Sequence, residues 1–106
     1  IPEVGLYYSE NCYGIADAID FTNNFLRIHA LRTKHEPADM KQLFIYDALF
    51  CLKRGIKPCD IQIENRIYQN DKVLIANPTF EDIDPIIEKI KEFDRVVREV
   101  KLGETA

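Results

Sequence analysis

The chain is short of the residues that mark several common classes. It has three cysteines, Cys12, Cys51 and Cys59, an odd count with no C-x-x-C pair. Neither a disulfide framework nor a thiolate-held zinc or iron–sulfur site is therefore expected. Cys51, inside "ALFCL", reads as a small buried apolar residue, and a reducing, cytoplasmic setting is the default. No apolar run is long enough to span a bilayer, so no membrane contact is expected. Excess positive charge is also missing: 14 Lys and Arg stand against 18 Asp and Glu, for a net charge of −4. That excludes a simple cationic nucleic-acid binder. It does not exclude a metal-dependent nuclease, in which divalent cations supply part of the positive charge. "YGIADAI" lacks the glycine spacing and lysine of a phosphate loop. His29 and His35 stand without a Ser or Cys partner for nucleophilic catalysis. Repeats, low-complexity segments and linkers are absent.

What is present is one domain's worth of chain. At 106 residues and 46% hydrophobic content, residues 1–106 form a single domain with one core. "EVGLYYSE" reads as a strand, and "CYGIADAIDF", Cys12 to Phe21, as the next. Asn23-Asn24 is a turn signal, and "FLRIHALRT" follows as a third strand, making Cys12 to Thr33 an antiparallel hairpin. "EPADMKQLFIYDALFCLKRG" reads as a helix, with Asp39 at its positive end, Lys53 and Arg54 at its negative end and Gly55 as the stop. Residues 43–52 are apolar on nearly every side except Asp47, so this helix is expected to be central. "DIQIENRIYQ" alternates Ile61, Ile63 and Ile67 with Gln62, Glu64 and Arg66, a half-buried strand. Asn70-Asp71 turns it into "KVLIAN". A last amphipathic helix runs to about Lys101. It starts either at Thr79, with Asp82 completing a capping box, or at Pro85 with Asp84 as cap. Its Ile83, Ile86, Ile87, Ile90, Phe93, Val96, Val97 and Val100 form one apolar stripe, opposite a charged solvated face. The expected order is β-β-β-α-β-β-α, an α/β or α+β fold in which helices flank a mixed sheet.

Chemistry would sit on the first hairpin. Side chains alternate along a strand, so Asp17, Ile19 and Phe21 share a face, as do Ile28, Ala30 and Arg32. A half-buried Asp17 between small and apolar residues needs a partner, a proton or a metal. The plain alternatives are an edge residue or an ion pair with Arg32. Two carboxylates on adjacent strands, with a lysine two residues beyond the second, would hold Mg²⁺ against a phosphate. Here the second carboxylate position is Ala30 and the lysine position is Arg32. On the helix, Gln42 and Tyr46 share one face by their i, i+4 spacing.

"GIADAIDFTNNFLRIHALRT" followed by "QLFIYDALFCL" resembles the core of the PD-(D/E)XK nuclease superfamily. The nearest likeness is to phage RecB-like exonucleases related to CRISPR-associated nucleases. Gly14 and Asp17 match the family's G-x-x-D strand, and Gln42 and Tyr46 match its Gln-x-x-x-Tyr helix. Leu31 and Thr33 match the flanks of the Asp-x-Lys-Thr strand, while Ala30 and Arg32 depart from its two chemical positions. The resemblance implies a restriction-endonuclease-like core, a Mg²⁺- or Mn²⁺-dependent DNA nuclease of phage type acting in a bacterial cytoplasm, and Asp17 as a metal ligand. It implies Gln42 and Tyr46 facing the site or the DNA. It also implies a helix upstream of the first strand, so the chain is expected to be either a trimmed piece or a minimal version. The three cysteines do not fit the cluster carried by some relatives, and no iron–sulfur cluster is expected.

The departures at Ala30 and Arg32 remove a metal ligand and replace a compact ammonium with a planar guanidinium. Metal binding is thus expected to be weak or absent, and nuclease activity impaired. Ala30 is either an engineered change or natural decay, and Arg32 favours decay. The competing reading is a nuclease-derived binding module without chemistry, gripping DNA or a protein of a defence or recombination system. The net negative charge favours a protein partner. A third reading is an oligomerising domain that uses its apolar helix stripe.

Overall fold

A computed structural model of the chain describes the backbone over residues 4–9, 12–16, 18–33, 35 and 39–105, and side chains over 18–33, 35 and 39–101. The elements are β1 (Val4–Ser9), β2 (Cys12–Ala16), β3 (Ala18–Thr22), β4 (Phe25–Leu31), α1 (Met40–Arg54), β5 (Gln62–Gln69), β6 (Lys72–Ala76) and α2 (Phe80–Thr105), with a 3-10 turn at Pro58–Asp60 before β5. The class is α+β: a mixed, open four-stranded sheet ordered β3-β4-β5-β6, a separate β1-β2 pair, and two helices.

The expected order is corrected at one point. The stretch 12–21, read as one strand, is two. β2 pairs antiparallel with β1, while β3 pairs antiparallel with β4. The two described strands on either side of residue 17 thereby serve two sheets, which the residue pattern does not reveal. The hairpin itself forms over Ala18–Leu31, its turn closed by Asn23 and Asn24 at φ 53° and 60°. Both residues sit in the left-handed region that asparagine tolerates. Asn70 and Asp71, at φ 52° and 63°, close β5 onto β6 in the same way. β4 and β5 run parallel, so the chain between them must cross over, and α1 makes that crossover.

α1 starts where Asp39 accepts a hydrogen bond from Lys41 N at 3.0 Å, and stops at Gly55, whose φ of 66° suits glycine. The sheet, the β1-β2 pair and α2 all pack on it. This explains why Tyr46 through Cys51 are buried without interruption. The core joins these residues to Leu26, Ile28 and Ala30 of β4, Ile63 and Ile67 of β5, and Ile83 and Ile87 of α2. Among the described residues no helix covers the opposite face of the sheet: Arg27, His29, Glu64, Arg66 and Tyr68 alternate with those core residues and stay partly exposed.

α2 begins at Phe80, where the Asp82 carboxylate accepts from Thr79 N at 2.9 Å, and Pro85 lies inside it. Its apolar residues do not act as one covered stripe. Ile83 and Ile87 are buried, whereas Phe93, Val96 and Val100 are 55%, 41% and 55% exposed, and the buried residue in that half is Asp94. Periodicity names a face of a helix; which part of that face is covered depends on how far the neighbouring element extends. None of the described helices is long and apolar enough to cross a membrane.

Candidate functional site

The site expected from sequence lies where β4 ends and α1 begins. Ala30 is the last buried residue of β4, 1% exposed and directed with Leu26 and Ile28 into the core. Its methyl group has no ligand atom to offer. Arg32 follows the strand and prolongs the parallel ladder, donating its backbone N–H to Tyr68 O at 3.0 Å. Its guanidinium donates from Nη2 to Gln42 Oε1 at 2.9 Å and from Nη1 to Leu31 O at 3.1 Å. Gln42 is exposed on the first turn of α1; Tyr46, one turn on, is 9% exposed and belongs to the core.

Two of the anticipated residues, Arg32 and Gln42, are therefore in contact, and two, Ala30 and Tyr46, share the core beneath them. Asp17 lies outside the described residues. The ion pair considered between Asp17 and Arg32 therefore also lies outside the described residues; among these, the Arg32 guanidinium is bonded to Gln42 and to Leu31 O. A hollow of about 370 Å³ opens beside Arg32, bounded by Tyr68, Gln69, Asn70, Asp71 and Lys72. Among the described residues no group of three or more His, Cys, Asp or Glu side chains could hold a metal ion.

Two further polar groups were not anticipated. The first is inside. Asn65 of β5 donates from Nδ2 to Asp47 Oδ2 of α1 at 2.6 Å, and both residues are 0% exposed. Burial pushes the Asp47 carboxyl up to about 8, opposed by the Asn65 hydrogen bond. Asp47 Oδ1 and Asn65 Oδ1 have no hydrogen-bond partner among the described residues. An acid held neutral suits this environment, since an ionised carboxylate there would lack the donors it needs. Four residues along α1, burial and then the neighbouring Asp47 push the Cys51 thiol up to about 12, making it unreactive. Asp47 stood out in the sequence as the polar exception of α1; its partner, on the apolar alternation of β5, did not.

The second group covers the open face of the sheet. Glu64 accepts from Arg66 Nε at 2.5 Å and from Arg27 Nε at 2.9 Å. These bonds, Arg66's first, hold its carboxyl below the usual range. His29 Nδ1 lies 2.8 Å from the Tyr68 hydroxyl, with the two rings stacked 5.8 Å apart. Burial, then the Arg66 and Arg27 charges, lower the His29 pKa. Neutral His29 can thus accept the phenolic proton's hydrogen bond at Nδ1. Glu64 neutralises one of the two arginines, so this face is polar but only weakly cationic. His29 lies opposite Ala30, as strand alternation requires.

No family model, curated protein or solved structure matches this chain. The functional reading therefore rests on the residues and their geometry.

Proposed function

We propose that the chain is a PD-(D/E)XK-like nuclease domain of phage type that no longer cuts DNA as its sequence stands. The observation that carries this reading is at the end of β4. The position for a second carboxylate holds the buried methyl of Ala30, and the position for a lysine holds an arginine bonded to Gln42 and Leu31. Both positions serve packing and hydrogen bonding, and neither presents a metal ligand. A restriction-endonuclease-like core is supported by the mixed sheet, by the parallel β4–β5 pair and by the helix that crosses between them.

The family's Mg²⁺ or Mn²⁺ would fall to Asp17 alone on this side of the site, and a single carboxylate holds such an ion weakly. The remaining role is binding. Arg32 beside the hollow at Gln69–Lys72 offers a contact for a DNA phosphate, while the net charge of −4 favours a protein of a defence or recombination system as partner.

The test is degradation of single- and double-stranded DNA with Mg²⁺ and Mn²⁺, comparing the chain with its Ala30→Asp/Arg32→Lys variant. The reading expects no cleavage by the first and metal-dependent cleavage by the second. Ala30→Asp places a carboxylate at a core position, so folding is followed in parallel, and Mn²⁺ should raise the melting temperature of the variant alone. Robust cleavage by the unaltered chain, or a folded double variant indifferent to Mn²⁺, would sink it.

A further inference from the structure

We propose that β6 pairs antiparallel with β6 of a second copy of this chain, across a two-fold axis at Leu74, joining the two four-stranded sheets into one. β6 is the last strand of its sheet, and among the described residues no strand pairs with its outer side. Its backbone direction follows from β5. Gln62 N–H donates to Asn24 O at 2.9 Å and Tyr68 O accepts from Arg32 N at 3.0 Å, so even-numbered residues of β5 bond toward β4. Odd-numbered residues then bond toward β6, which makes Ile67–Leu74 and Asn65–Ala76 the bonded pairs of the hairpin. Val73 and Ile75 consequently aim their N–H and C=O groups away from the sheet. Those groups call for an extended strand as partner.

The side chains say which strand. Val73, Leu74 and Ile75 are 47%, 46% and 52% exposed, three successive aliphatic residues uncovered on both faces of the edge. The other edge strand, β3, carries exposed Asp20 at its centre, held by Thr22 Oγ1 at 3.1 Å, a charge that discourages pairing. β6 has its only charge at the end, on Lys72. With the axis at Leu74, Val73 of each copy faces Ile75 of the other as a bonded pair, and the two Leu74 side chains meet as a close, non-bonded pair. Shifting the axis to Val73 would set Leu74 against Lys72 and Ile75 against Asp71. Shifting it to Ile75 would leave Val73 against Asn77.

The ends of the ladder match as well. Pro78, which cannot donate, would fall opposite Asn70, where the hairpin turn begins. The two Lys72 side chains would stay roughly 13 Å apart, four residues along the strand, beyond the screening length of about 10 Å at 0.1 M salt. Each Lys72 would arrive at the end of the opposing β6, which leads into the acidic first turn of α2 with Glu81 and Asp82.

Sedimentation equilibrium from about 1 μM to about 1 mM should show a concentration-dependent rise from 12.3 kDa toward twice that mass. Ile75→Pro removes one outward N–H and no bond to β5, so it should weaken association at least tenfold and leave the far-UV spectrum of the monomer unchanged. Register is read by oxidation in a Cys12→Ser/Cys59→Ser background: Leu74→Cys should form an intermolecular disulfide efficiently, and Val73→Cys should not. A monomer at every concentration, or association unaltered in a folded Ile75→Pro, overturns the proposal. So does cross-linking at Val73→Cys equal to that at Leu74→Cys, a result that decides the matter even if Ile75→Pro fails to fold.

Discussion

Replacing Asp47 by asparagine should change how stability depends on pH more than it changes stability itself. The folded-state carboxyl titrates at about 8 against an ordinary value of 3.8. Below about pH 4 the acid is neutral in both folded and unfolded chains, and it costs nothing. As pH rises, the unfolded chain ionises first while the buried acid holds its proton, so folding loses free energy until the folded group ionises near pH 8. At about 1.4 kcal/mol per unit, the full shift sets an upper figure of about 6 kcal/mol. Relaxation and water entry around the ionised group reduce it, and a loss of about 2–5 kcal/mol is the working expectation. That is a large part of the roughly 5–15 kcal/mol that holds a small domain together. The Asp47→Asn variant would keep an acceptor for Asn65 Nδ2 and carry no titrating proton. Urea unfolding followed by far-UV circular dichroism at about pH 3, 6 and 8.5 isolates the effect as the difference between wild type and variant. Other groups cancel in that difference, including Glu64, whose lowered pKa makes its contribution fade toward acid in both proteins. The variant should match the wild type at low pH and surpass it at pH 8.5. A difference that stays constant with pH, or that favours the wild type as pH rises, would refute the assignment of a buried neutral acid.

Three smaller effects follow from the local geometry. Asp39→Ala removes the side-chain acceptor for Lys41 N and should cost about 1 kcal/mol in denaturant melts. Gly55→Ala meets no atom within 4 Å but forces a side chain at φ 66°, and should cost about 1–2 kcal/mol through backbone strain alone. Arg32→Ala removes an exposed hydrogen bond to Gln42 and should cost no more than about 1 kcal/mol of stability. The same change should clearly weaken binding to any partner that uses the hollow beside β4, as read by titration calorimetry.

Much of this fold is written locally. The capped ends of α1, the two asparagine-led turns and the alternation of β5 each depend on neighbours within a few residues, and each appears where the sequence places it. The division of 12–21 between two sheets does not, because extended residues record their own conformation and not the identity of the strand beside them. β6 and the far half of α2 show the same limit in another form. Val73, Leu74, Ile75, Phe93, Val96 and Val100 are as apolar as core residues, yet they lie where the described chain supplies no cover. At the site, spacing and resemblance together brought Arg32 and Gln42 into view. The buried pair Asp47–Asn65 escaped notice because its members are 18 residues apart and meet only once α1 has crossed to β5.

At the end of β4, Ala30 packs in the core and Arg32 is hydrogen-bonded to Gln42 and Leu31, and the proposed nuclease frame would hold a metal only weakly there. Titration of Mn²⁺, followed by its electron paramagnetic resonance signal, tests it most directly. Ala30→Asp should bind one ion saturably, whereas the unaltered chain should show no saturable site below about 1 mM, as a lone carboxylate implies. One tightly held Mn²⁺ per unaltered chain, lost on Asp17→Asn, would contradict it.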